Sequence, residues 1–112
     1  MKIKTLKSLI VKILESHKGR DNPIKIDVIC EKIEKITGDN VKNSIIRKAI
    51  RSLIIDDGLL IGSCYSGVYL IKTKSELLEV VNNLTSRKIE IDLRINSLIR
   101  NWSKKSKYVN LK

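Results

Sequence analysis

From Val68 to Lys112 the sequence contains neither Gly nor Pro, whereas Gly19, Pro23, Gly38, Gly58, Gly62 and Gly67 interrupt everything before it. Closely spaced breakers permit only short elements, while a long stretch without them lets one helix continue. The chain is therefore expected to hold a unit of short elements followed by one long helix. Thr73, three residues before Glu76, supplies a capping box that opens that helix. Within it, Leu77, Val81, Leu84, Lys88, Ile91, Ile95, Leu98 and Trp102 alternate spacings of four and three, and Lys88 alone among them is not apolar. That is the pattern of a coiled-coil seam.

The short elements can be read by periodicity. Ile3, Leu6, Ile10, Ile13, Leu14 and His17 recur at helical spacing, so a first helix is expected over about Thr5 to His17. Pro23-Ile24-Lys25-Ile26 is too short for a helix and alternates like a brief strand. Asp27 offers an N-cap to a second helix carrying Val28, Ile29, Ile33 and Ile36, which stops at Gly38. Asp39 or Asn40 can cap a third, with Val41, Ile45, Ile46, Ala49, Ile50 and Leu53 as its inward stripe. Asp56-Asp57-Gly58 breaks that helix. Two β-prone runs, Leu59 to Cys64 and Val68 to Ile71, then flank Tyr65-Ser66-Gly67 as a hairpin. The expected fold class is mainly α with a small β-hairpin: a winged helix-turn-helix over residues 1–73, a long dimerisation helix over 74–104 and a basic tail over 105–112.

Charge points to the partner. Lys and Arg number 23 against 12 Asp and Glu, a formal net charge of +11 on 112 residues, which is typical of proteins that meet polyanions. The excess is concentrated on the third helix, where Val41 to Ile55 contains no acid. At 100° per residue, Ser44, Arg47, Lys48 and Arg51 share about one third of the circumference, opposite Ile46, Ala49, Ile50 and Leu53. A merely solvated face would more often mix signs in i to i+4 pairs. With one helix of a trihelical unit carrying this face, double-stranded DNA is the expected partner. The candidate contacts are Lys42, Asn43, Ser44, Arg47, Lys48 and Arg51, with Tyr65 and Ser66 at the hairpin tip. Arg47 suits guanine and Asn43 suits adenine, since each can donate or exchange two hydrogen bonds with that base edge.

Other chemistries lack their residues. No apolar run reaches the roughly 18 residues of a membrane span, and lysines interrupt the start, so a cytoplasmic, intracellular chain is expected. Cys30 and Cys64 lie 34 positions apart inside apolar patterns, which suits buried reduced thiols better than a disulfide or zinc site. His17 is the single histidine and stands alone, and no Walker-type phosphate loop occurs. Neither catalysis, nor a metal, nor a cofactor is indicated. With 42% hydrophobic residues but only 4% aromatic and no Phe, the core is expected to be aliphatic.

The stretch Asn43-Ser44-Ile45-Ile46-Arg47, Ile50-Arg51-Ser52-Leu53, Asp57-Gly58-Leu59-Leu60-Ile61-Gly62-Ser63 and Gly67-Val68-Tyr69-Leu70, followed by Ser75-Glu76-Leu77 and Ser86-Arg87, resembles the winged-helix domains of phages and other mobile elements. The resemblance spans roughly residues 25 to 100, with Val68 standing where an aromatic is usual. It implies double-stranded DNA binding by the Asn43 to Arg51 helix and the wing, in transcription control or replication initiation. It does not separate those two roles.

The later seam, Leu84, Lys88, Ile91, Ile95, Leu98 and Trp102, extends beyond what a core of this size covers, and a homodimer is expected to bury it. Lys88 at an a position disfavours larger assemblies. Beyond Asp92, Arg94, Arg100, Lys104, Lys105, Lys107 and Lys112 face no further acid, and the tail carrying them is expected to fray, either adding phosphate attraction or standing only as a solvated end. The competing expectation is a protein-interaction adaptor that binds a replication or regulatory partner through the long helix, its charge serving only solubility.

Overall fold

The computed structural model describes the backbone of residues 1–109 and the side chains of residues 1–105. Four helices and one hairpin follow in the order α1 (Ile3–Leu14), α2 (Ile26–Thr37), α3 (Asn43–Ile55), β1 (Ile61–Cys64), β2 (Gly67–Leu70) and α4 (Lys74–Val109). The chain forms two compact units, Met1–Val80 and a second from Val81 onward. No helix among the described residues is long and apolar enough to cross a membrane.

In the first unit the three short helices pack on one another through their periodic apolar positions. Leu6, Ile10 and Leu14 of α1, Ile29 and Ile33 of α2, and Ile46, Ala49, Ile50 and Leu53 of α3 are buried in one cluster, joined by Ile24, Ile61 and Val68. Removing each of the larger side chains from water stabilises the fold by about 1.5–3 kcal/mol. The cluster is aliphatic, as the composition implies, yet the largest fully buried side chain is Tyr69. Tyr69 stands opposite Gly62 in the hairpin register, and a Cβ on Gly62 would overlap its ring. Glycine at 62 thus makes room for one of the few aromatics.

At Gly38 and Gly67 the backbone itself calls for glycine. Gly38 ends α2 in the left-handed region (φ 78°), its N–H donating to the Glu34 carbonyl. Gly67 has φ 140°, and a Cβ there would collide with the Ile24 carbonyl, because Ile24 and Val68 exchange both backbone hydrogen bonds. The expected strand at Pro23 to Ile26 is reduced to that isolated bridge, with Lys18 bridging Leu70 nearby.

Several expected boundaries shift. Helix α1 starts at Ile3 and ends at Leu14, three residues short of His17, where Ser16 and His17 close tighter turns onto Ile13 and Leu14. Neither Asp27 nor Asp39 nor Asn40 caps a helix: the N-cap positions of α2 and α3 are Lys25 and Lys42, with no side-chain cap. Asp27 lies in the first turn of α2, where its charge still suits the helix dipole. Ile36 and Ile45, assigned to inward stripes, are exposed, and Cys30 and Cys64 are free but only half-buried. Helix α4 continues past Lys104, the expected end, to Val109, so the first residues of the expected tail are helical. The side chains of Lys107 and Tyr108, together with Lys112, lie outside the described residues.

The capping box is present. Thr73 Oγ1 accepts from the Glu76 N–H at 3.2 Å, and Glu76 Oε1 accepts from the N–H groups of Thr73 and Lys72. Its other oxygen accepts from the N–H of Arg20 at 2.9 Å, and the Arg20 guanidinium pairs with Glu79 at 2.7 Å. One carboxylate thus ties the start of α4 to the loop after α1. These donors hold the Glu76 carboxyl below its ordinary pKa, the Arg20 N–H contributing most.

Candidate nucleic-acid interface

Burial of Ile46, Ala49, Ile50 and Leu53 against α1 and α2 fixes the rotation of α3 about its own axis. Ser44, Arg47, Lys48 and Arg51 consequently occupy the opposite side, and all four are exposed. They span roughly 100° of the helix circumference. Among the described residues Arg47, Lys48 and Arg51 take part in no ion pair. The acids nearest in sequence to α3 are occupied elsewhere. Asp57 pairs with Lys7 of α1 at 2.9 Å, and Asp56 accepts from Ser52 Oγ at 2.8 Å. The face therefore holds three cations and a hydroxyl, with none of the cations in an ion pair among the described residues.

Lys42 and Asn43 stand at the start of the same helix with different surroundings. Lys42 is exposed, whereas Asn43 is half-buried and hydrogen-bonded through both ends of its amide. Its Nδ2 donates to Asp27 Oδ1, and its Oδ1 accepts from the Cys30 thiol at 3.1 Å. Burial, and then the negative charge of Asp27, pushes the Cys30 thiol pKa up and keeps it in the protonated, donating form. Asn43 thus joins α3 to α2, with one amide N–H and one lone pair of its oxygen committed to that joint. Its partners lie 16 and 13 residues away, so no local spacing could announce them.

Tyr65 and Ser66 form the two-residue turn between β1 and β2, and both are exposed, Tyr65 completely. Their backbone is positioned by the Cys64 to Gly67 pairing and by the Ile24 bridge behind Val68.

The seam residues of α4 are placed differently from the core. Leu77 and Val80 are half-buried within the first unit. In the second unit Leu84, Lys88, Ile91, Ile95, Leu98 and Trp102 are all exposed, Leu84 by 53% and Trp102 by 62%.

A scan against protein-family models and searches of curated proteins and of solved structures found no match to this chain.

Proposed function

We propose that the chain is a sequence-specific double-stranded DNA-binding protein of the winged helix-turn-helix type, with α3 as the recognition helix and the β1–β2 hairpin as the wing. The observation that carries this reading is the acid-free face of Ser44, Arg47, Lys48 and Arg51, exposed and without an intramolecular ion pair. A major groove about 12 Å wide admits one helix, and its floor offers guanine O6 and N7 to a guanidinium fork. Arg47 and Arg51 are the residues for base edges. Lys42 and Lys48 supply phosphate contacts, which set register and affinity without reading sequence. The first turn of α3 lacks both an acid and a side-chain cap, so its free N–H groups add to the attraction for phosphate. Ser66 and the exposed Tyr65 suit a backbone contact by the wing.

The organismal role that goes with this reading is transcription control or replication of a mobile element, in the cytoplasm. Selection of duplex oligonucleotides from a random pool tests the reading, repeated with Arg47→Ala. The unaltered chain should enrich a defined site, and Arg47→Ala should relax the preference at one base by about 1–3 kcal/mol. Enrichment of the same site with the same affinity by Arg47→Ala would show that α3 does not read the bases.

A further inference from the structure

The exposed stripe of α4 carries an inference independent of DNA. We infer that it is the interface of a parallel, two-stranded coiled coil with a second copy of this chain. Between Val81 and Trp102 the helix extends about 32 Å, and every a or d position on that length is apolar except Lys88. These side chains are between 46% and 63% exposed where they are apolar. Helices with apolar residues every three and four positions bury them by pairing with a matching seam. A second copy offers that same seam, which makes the interface self-complementary about a two-fold axis.

The flanking charges choose the orientation. With Leu84, Ile91 and Leu98 at d and Val81, Lys88, Ile95 and Trp102 at a, the charged g residues are Arg87 and Arg94, and the charged e residue is Asp92. Parallel helices bring each g against the following e of the partner, so Arg87 meets the partner's Asp92 twice in a symmetric pair. Antiparallel helices bring g against g and e against e. That arrangement sets arginine against arginine or against a neutral residue in every register and forms no attractive g or e pair. Within one chain Arg87 and Asp92 make no ion pair with any described residue, and Arg94 pairs only with Glu90 four residues earlier, at 3.7 Å. Lys88 adds the number of strands: two lysine stems can run outward along the seam to water, which the closed interior of a three- or four-stranded bundle does not allow.

The test is sedimentation equilibrium of the full chain without DNA, so its outcome is separate from that of the oligonucleotide selection. A dimer mass that falls to monomer in Ile91→Asp/Ile95→Asp supports the inference. These positions are solvent-exposed in the single chain, and the thermal transition of the first unit should persist, which checks that the variant folds. Arg87→Glu then reads the orientation. Parallel pairing sets the new carboxylate against the partner's Asp92 and weakens dimerisation by about tenfold, and Arg87→Glu/Asp92→Arg restores it. A monomer at high concentration, a trimer or tetramer, or tighter association of Arg87→Glu would each overturn the inference.

Discussion

The two units of this chain use the same aliphatic side chains to opposite effect. In the first, Ile10, Leu14, Ile29, Ile33 and Ile46 are removed from water entirely, held by three helices whose stripes face one another. In the second, Ile91, Ile95 and Leu98 recur just as regularly along α4 and stay about half exposed. Periodicity therefore fixes which face of a helix is apolar. Whether that face becomes core depends on how many elements the chain supplies to cover it. The core unit spends its apolar faces internally and leaves a cationic face outward, while α4 leaves its apolar face outward.

The largest effect that can sharpen this contrast is a cavity in the core. Ile33→Ala should destabilise the first unit by about 2–5 kcal/mol, read as a lower midpoint in urea with an unchanged slope. Ile95→Ala should move that same transition by less than about 0.5 kcal/mol, as an exposed position should. Equal losses from the two substitutions would erase the distinction between core and stripe.

A smaller effect concerns Asn43 on α3. Asn43→Ala should lower stability by about 1 kcal/mol, because it leaves Asp27 and Cys30 without their shared amide. Base preference should be unaltered, which duplex selection can read. If Asn43→Ala instead relaxed the selected site at an adenine while stability held, Asn43 would be a reading residue after all.

The smallest effect concerns the joint at the start of α4. Three N–H groups favour the ionised form of Glu76 in the folded chain, so its folded pKa lies below its unfolded one. The stabilisation is therefore present above the ordinary carboxylate pKa and is lost as pH falls through the depressed folded value. Melting temperatures measured across that acid window should fall less steeply for Glu76→Gln than for the unaltered chain. Parallel pH profiles would contradict the assignment.

What the sequence made legible was local or periodic. Helix α3 follows from Ile46, Ala49, Ile50 and Leu53, and the Thr73–Glu76 box from a spacing of three residues. The hairpin follows from β-prone runs around Tyr65-Ser66-Gly67. What it concealed depended on partners distant in the chain. By position Asp27 could serve as an N-cap, but it lies inside α2 with its carboxylate accepting from Asn43, and Lys25 takes the N-cap position instead. Arg20 reaches Glu76 across 56 residues. Ile36 and Ile45 obey the helical repeat yet are exposed, Ile36 in the last turn of α2 and Ile45 in the first turn of α3. In the candidate interface the cationic face was readable from spacing, while the tie of Asn43 to Asp27 and Cys30 was not.

The account rests most heavily on the α3 face meeting the phosphates and bases of a duplex, and salt measures this directly. Affinity for a selected duplex, followed by fluorescence anisotropy over a range of salt concentrations, should fall with a log–log slope near −4 to −5 for about five phosphate contacts. Replacing Lys42 and Lys48 with Gln should make that slope shallower by about 2. A slope near zero, or one that the double substitution leaves unchanged, would contradict duplex binding by this face and would favour an adaptor that meets a protein partner through α4.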